Sequence, residues 1–251
     1  MNIVVAMKQI PDLQQIRIRN RQPVFDDVPM TLGAIDKNAL EAGVSIKENQ
    51  GGKVTVLSAG NEDLEDTAKE ALAAGADEAL LVIDEALATA GSDVIARTLA
   101  AAIRKMESAD LIIFGEGSGD NYSGLVGSRV AAILDWPQIG YVSSLELKGD
   151  LLRATRTLED GEEIVEVNLP AVVAVISGIN EPRIPSVTQI LKAGKKPKEV
   201  LEPGDLDLQL PAEAQVISLS NLAPESERKR VALKTVDELV QALKNENIIG
   251  R

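Results

Sequence analysis

The sequence predicts an α/β fold built on a doubly wound, mostly parallel sheet. Two observations carry this: short apolar runs without polar alternation, and intervening stretches with apolar residues every three or four positions. The runs are Ile3–Met7, Val54–Ser58, Ala79–Ile83 and Leu111–Phe114. Continuous apolarity over so few residues is the pattern of parallel strands covered on both faces. Between them, Ile35–Lys47, Asp63–Ala74 and Asp93–Glu107 carry helical periodicity. Asn61 precedes an acidic first turn, Glu62-Asp63, which suits the positive end of a helix dipole, and Gly75 stands where a C-terminal cap is expected. Strand–helix–strand alternation at this spacing predicts right-handed crossovers.

After Trp136-Pro137 the period changes. Tyr141–Leu147, Leu151–Leu158, Glu163–Leu169 and Ala171–Ile176 read as strands, with turns at Lys148-Gly149-Asp150 and Glu159-Asp160-Gly161, and are expected to add antiparallel strands to the same sheet. Ser177–Lys198 holds three prolines and the basic run Lys192-Ala193-Gly194-Lys195-Lys196-Pro197-Lys198. Residues 200–230 are polar and punctuated by proline, which predicts an extended arm, and Val236–Asn245 reads as a closing amphipathic helix. The expected division is an α/β domain over 1–198 and an arm with its helix over 199–251. An arm with so little apolar content of its own is expected to rest on a partner subunit.

Composition narrows the chemistry. Over 251 residues, 45% hydrophobic and 26% charged side chains describe a globular chain, not a disordered, collagenous or coiled-coil one. No apolar run approaches the roughly 18 to 20 residues of a membrane helix, and the opening Met1–Lys8 has no basic export signal, so a cytoplasmic location is expected. Cysteine and histidine are both absent. Disulfides, thiolate or imidazole metal sites, cysteine nucleophiles and histidine acid–base catalysis are thereby excluded within this chain. A net charge of −13 argues against nucleic acid as a partner. No catalytic residue and no metal ligand is assigned; the chemistry is expected from a cofactor or a partner.

The candidate site is the stretch Leu111 to Gly127, where an apolar strand enters a loop with Gly115, Gly117, Gly119 and Gly124 and then a helix, Leu125–Leu134. Glycines let backbone approach a ligand, and a helix start offers unpaired N–H groups at its positive end. Ser118, Asp120 and Asn121 lie within the loop; Ser123 or Asn121 is expected to cap the helix or to meet a phosphate, with Gly124 and Gly127 allowing close approach. The loop is neither a P-loop nor a regular dinucleotide fingerprint, so nucleotide binding and a tight structural turn both stand. Its position favours the ligand, because ligands of open α/β sheets lie outside the carboxyl ends of strands. Lys8, after the first strand, is at the same edge, either facing a phosphate or simply solvated. Asp26-Asp27 and Glu162-Glu163 read as solvated acidic turns. The lysine run 192–198 reads equally as a surface for an acidic partner and as a solvated loop.

Several stretches together resemble one family. Ala154 through Ala174 (Ala-Thr-Arg-Thr-Leu-Glu-Asp-Gly-Glu-Glu-Ile-Val-Glu-Val-Asn-Leu-Pro-Ala-Val-Val-Ala) is similar, position for position, to the signature of the electron transfer flavoprotein beta subunit. Met1–Asp12 resembles the family's opening strand and Lys-x-x-x-Asp turn, and Ala73–Glu78 its Met-Gly-Ala-Asp segment. Trp136-Pro137-Gln138, Asn180-Glu181-Pro182-Arg183 and the terminal Thr235–Val240 stand in the expected order.

The resemblance implies an adenine nucleotide alpha hydrolase-like fold. It further implies a heterodimer with an alpha subunit that holds FAD, and a nucleotide in this chain: AMP in housekeeping members, a second FAD in electron-bifurcating ones. Electrons would pass from dehydrogenases, such as acyl-CoA dehydrogenases, to a quinone reductase or a ferredoxin-type acceptor. The flavin then supplies the redox chemistry that a chain without histidine or cysteine lacks. By motif, the nucleotide would meet Ala6, Gly33, Ala34, Ile35, Asp36, Ala59 and the loop Gly115 to Val126, including Leu125, with Gly127 after it. Gly115, Asp120, Val126 and Gly127 match the family loop and Ser123 stands for a threonine. Gly117, Gly119, Tyr122 and Leu125 depart from it, and Gly33-Ala34 replaces the usual Asn-Pro. Val126 and the Lys8-Gln9-Ile10-Pro11-Asp12 opening resemble the bifurcating branch. The family's docking loop for the dehydrogenase corresponds to residues 185–196, with Val187 at the anchor position, Thr188 in place of a common proline, and Lys192, Lys195 and Lys196 beyond. The alternatives are a nucleotide sensor of the same fold without electron transfer, and a structural subunit that has lost its nucleotide.

Overall fold

A computed structural model describes residues 1–211, 216, 219–225 and 230–250. Its contacts divide the chain into two compact units, one of residues 1–17 and 25–219, the other of 18–24 and 220–251. In chain order the elements are β1 (Asn2–Ala6), β2 (Gln9–Pro11), β3 (Arg17–Arg19), β4 (Gln22–Val24), β5 (Met30–Leu32), α1 (Ala34–Gln50) and β6 (Lys53–Gly60). Next come α2 (Leu64–Ala73), β7 (Glu78–Ile83), α3 (Ser92–Lys105), β8 (Leu111–Gly115) and α4 (Val126–Leu134). The rest are β9 (Gln138–Lys148), β10 (Leu151–Leu158), β11 (Gly161–Asn168), β12 (Ala171–Val175), α5 (Val187–Ala193), β13 (Lys198–Leu201) and α6 (Val236–Asn245).

Nine strands form one sheet in the order β11-β10-β9-β12-β8-β1-β6-β7-β13. From β9 to β13 every neighbouring pair is parallel; β10 and β11 continue the sheet antiparallel from β9. The apolar strands bury alternate residues on opposite faces. Ile3, Val5, Val56, Ile113 and Val173 join one core with α1 and α2, while Val4, Leu57, Ile112, Phe114 and Val172 join another with α3 and α4. Helices on both faces of a parallel sheet explain the strands' continuous apolarity. With so few aromatic residues, alanines make the helix contacts, and Gly43 lets α1 lie close on the sheet: a Cβ there would be 2.9 Å from Val5 Cγ2.

The sheet differs from expectation in two places. β12 is not an antiparallel addition; it re-enters the sheet between β8 and β9 and runs parallel to both. The short link from β11 resembles a hairpin, but Ala171–Val175 is a continuous apolar run buried on both faces, the same signature as β1 and β8. β13 lies beyond the α/β run as read from sequence. It closes the edge beside β7, with only Leu201 buried and Lys198 paired with Glu65.

The second unit holds β4 and part of β3, which pair as a two-stranded ribbon, together with α6. Ala223 N–H donates to the Arg21 carbonyl at 2.7 Å, and Arg21 Nε donates back to the Ala223 carbonyl at 2.8 Å. Thr235 caps α6 by accepting from the Glu238 N–H. Positions 212–215, 217–218 and 226–229 of the expected arm lie outside the described residues.

Candidate functional site

The strand order reverses at β1: β6 follows on one side, and β8 returns on the other. Such a switch point leaves a crevice outside the carboxyl ends of the strands. A cavity of about 380 Å³ occupies that place. Ala6 at the end of β1, Ala59 in β6 and Gly115 at the end of β8 line it, as do Lys8, Asp36, Gly117, Ser118, Asp120, Asn121, Ser123, Gly124, Leu125, Val126 and Gly127. Sequence reasoning therefore gathered residues that the fold brings to one cavity from four segments of chain. Gly33, Ala34, Ile35 and Gly119 are not among the lining residues. Gly33 is the N-cap of α1, and Gly119 lies beneath Leu13 and Ile10, where a Cβ would be 3.0 Å and 3.2 Å from their methyl carbons.

The cavity also has a wall the sequence reading missed. Asn61, Thr89 and Ser92 contribute polar groups, and Leu64, Leu87, Ile95 and Leu99 an apolar side. The signal was present in position alone: the segments that follow β6 and β7 open at the same sheet edge as the glycine loop.

The glycine loop is held by its own bonds. Tyr122 N–H donates to the Ser118 carbonyl at 2.9 Å, and Asn121 Oδ1 accepts from Ser118 Oγ at 3.0 Å and from Ser123 N–H at 3.3 Å. Tyr122 adopts φ +48°, with its ring lying against Gly117, where a Cβ would fall 3.0 Å from Tyr122 Cγ. The Tyr122 hydroxyl donates to Glu116, which raises its pKa. Gly124 has φ +63° and lies against the Glu116 carbonyl, and Gly127 lies against the Phe114 ring. Glycines 117 and 127 thus serve close packing, and Gly124 both packing and a left-handed turn.

Neither Ser123 nor Asn121 caps the following helix. The N-cap of α4 is Leu125, and no side chain caps it, because Asn121 is already engaged within the loop. α1, α2 and α3 also begin at this sheet edge without a side-chain cap, whereas α5, which begins elsewhere, is capped by Ser186. Uncapped helix starts leave backbone N–H donors and partial positive charge facing the cavity region.

Four charged residues line the cavity: Lys8, Asp36, Glu116 and Asp120. The Lys8 ammonium pairs with Asp120. Burial works to raise the Asp120 pKa, but the Lys8 ammonium bound to it outweighs that, so this carboxyl titrates below its usual range. Asp36 is only 6% exposed. It accepts the Lys8 backbone N–H at 3.2 Å, and Gly33 and Gly115 make room for its carboxylate: a Cβ on either would meet Asp36 Oδ2 at 2.6 Å or Oδ1 at 3.2 Å. Burial, opposed only in part by Lys8, pushes its pKa up to about 7.

The docking residues form a separate group. The segment 185–196 contains a helix, α5, where a loop was expected; Ser186 and Gln189 form its capping box. Val187 and Leu191 are 74% and 73% exposed. Lys192 and Lys195 are exposed, but the Lys196 ammonium donates to the carbonyls of Leu72, at 2.7 Å, and Ala76, near the end of α2. The chain leading into α5 is fixed to α1. Arg183 forks onto Glu41 and Glu48, and Asn38 and Asn180 exchange side-chain-to-backbone hydrogen bonds.

Comparison with known proteins gives the family. Residues 24–206 match the electron transfer flavoprotein domain family. An electron transfer flavoprotein subunit beta of Thermoanaerobacterium thermosaccharolyticum is 41% identical over 211 residues, 83% of this chain and 81% of the relative. One from Clostridium acetobutylicum is 38% identical over 210 residues, with the same coverages. A caffeyl-CoA reductase-Etf complex subunit CarD of Acetobacterium woodii is 35% identical over 211 residues, 83% of this chain and 80% of the relative. The chain belongs to the electron transfer flavoprotein family, as a beta subunit.

Proposed function

We propose that the cavity at the β1/β8 switch point receives the adenylate group of a nucleotide, either AMP or a second FAD. The chain would act with an alpha subunit as a heterodimer passing electrons from a dehydrogenase to a quinone reductase or a ferredoxin-type acceptor. The observation that carries the reading is the set of uncapped helix starts around a concave site of about 380 Å³, within the usual range of small-ligand pockets. Backbone N–H groups of α4 and the glycine loop suit a phosphate. The apolar wall of Leu64, Leu87, Ile95 and Leu99 suits a flat base, with Asn61, Thr89 and Ser92 at hand for its polar edge.

A flavin, where one binds, supplies the redox chemistry. This chain's residues bind and orient the nucleotide, exclude water from it, and hold the loop that closes around its phosphate. The exposed apolar face of α5, with Lys192 and Lys195, is the proposed docking surface for the dehydrogenase, and the arm from 199 with α6 is proposed to rest on the alpha subunit. One relative is named as part of a caffeyl-CoA reductase-Etf complex, which supports a redox partner acting on CoA esters. The test is co-expression with the alpha subunit, release of ligands by denaturation, and quantification of FAD and AMP. Two FAD per heterodimer would support a bifurcating carrier, and one FAD with one AMP a simple shuttle. One FAD and no second nucleotide would overturn the reading.

A further inference from the structure

Asp36 stands apart from the other acids of the cavity. Its Oδ2 accepts the Lys8 N–H, while Oδ1 has no hydrogen-bond partner among the described residues. No side-chain oxygen or nitrogen among those residues is sealed from solvent without a partner, so Oδ1 must meet the space of the cavity that Asp36 lines. An aspartate 94% withdrawn from solvent, with one carboxyl oxygen unpartnered beside a cavity, is a built polar contact awaiting a group.

The surrounding charges decide what form it takes. From the turn after β1 comes Lys8, already bound by Asp120; from the loop after β8 come Asp120 and Glu116; from α1 itself comes Lys37, engaged by Glu70. Among the described residues, no other charged side chain lines the cavity. With all four ionised, the lining carries one positive and three negative charges, a poor receptor for phosphate despite the helix starts. A proton on Asp36 removes one negative charge and turns an acceptor into a donor.

We propose that the cavity takes up its phosphate-bearing ligand together with one proton, held on Oδ1 of Asp36, which donates a hydrogen bond to the ligand. The proposal rests on the nucleotide reading above. Burial already favours the neutral form, so the free protein holds part of this proton near neutral pH. The proton comes from solvent and returns there on release. Asp36 is a binding group in this account and takes no part in electron transfer.

The test is calorimetric titration of the nucleotide-stripped heterodimer with AMP between pH 7.5 and 9, in two buffers of different ionisation enthalpy. In this range AMP is already a dianion, so its own ionisation does not contribute. The wild type is expected to take up close to one proton, with affinity falling about tenfold per pH unit. Asp36→Asn, which always presents an amide donor, should take up none, bind with flat affinity, and bind AMP more tightly than the wild type at pH 8.5. A gain in affinity is not the mark of a damaged fold. Wild-type binding without proton uptake would overturn this inference and leave the nucleotide reading standing. Absence of binding of AMP and of FAD at every pH would overturn the nucleotide reading and the inference with it.

Discussion

Replacing Asp36 by asparagine should make the ligand-free protein more stable, and increasingly so as pH rises. The carboxyl is buried against Gly33 and Gly115, and its pKa moves from 3.8 to about 7 on folding. The folded state thus binds a proton more tightly than the unfolded chain. Stability attributable to this group is full below the unfolded value, is lost as pH climbs towards 7, and is level above it. The rise corresponds to about 4 kcal/mol when complete, roughly 3 kcal/mol of it between pH 5 and pH 8. Glu41, Glu48 and Asp120 behave in the opposite sense. Their pKa values are lowered, so their contribution is lost in acid, largely below the range compared. The difference between wild type and variant therefore isolates Asp36. Asparagine keeps the acceptor for the Lys8 N–H and carries no charge to bury. Urea denaturation at pH 5 and pH 8 should show a midpoint advantage for Asp36→Asn that grows by about 1 M, given an unfolding slope near 3 kcal/mol per molar for a chain of this size. An advantage equal at the two pH values, or a disadvantage at pH 8, would refute the reasoning.

Three further outcomes follow from the packing and the surface. Gly43→Ala gains about 1 kcal/mol of helix propensity but drives a methyl to 2.9 Å from Val5 Cγ2 and 3.4 Å from Ile3 Cγ2; overpacking of about 1–3 kcal/mol wins, and the thermal midpoint should fall by several degrees. Arg183→Ala strips Glu41 and Glu48 of their shared fork and should cost about 1–3 kcal/mol in chemical denaturation, with lysine restoring only part, since it cannot bridge both carboxylates in one plane. Val187→Asp should leave stability within about 0.5 kcal/mol because the side chain is largely exposed, yet slow electron delivery from the donor dehydrogenase about tenfold or more; unchanged delivery would remove α5 from the docking surface.

The parallel core was legible in the sequence because burial on both faces leaves no alternative to continuous apolarity. β1, β6, β7 and β8 and the helices between them fall where periodicity puts them. The same rule, applied to Ala171–Val175, points to a central strand; grouping it with the strands that follow Trp136-Pro137 made it an antiparallel addition instead. β13 was hidden for the converse reason. As an edge strand it buries only Leu201, and its start, Lys198-Glu199, straddles the end of the basic run and the beginning of the expected arm. α5 is short and lies between prolines, although Ser186-Val187-Thr188-Gln189 carries the capping-box pattern in plain view.

The site was legible where chemistry and chain position coincide. Most of the loop from Gly115 to Gly127, though not Gly119, meets Ala6, Ala59 and Asp36 at one cavity because all follow carboxyl ends of strands or open the helix beside them. What no motif announces is contributed by tertiary placement. Asn61, Leu87, Thr89 and Ser92 carry no phosphate-like pattern, and enter the cavity because β6 and β7 lie one and two strands from β1. Lys196 shows the reverse: a lysine in a basic run whose ammonium is engaged with the carbonyls of Leu72 and Ala76.

The most direct test of the central claim, that the switch-point cavity holds an adenylate nucleotide, is photolabelling of the heterodimer with 8-azido-AMP followed by peptide mapping. Label is predicted in peptides spanning 59–64, 87–99 or 115–128, and excess AMP should suppress it. Label confined to β9–β11, or label that AMP does not displace, would contradict the account.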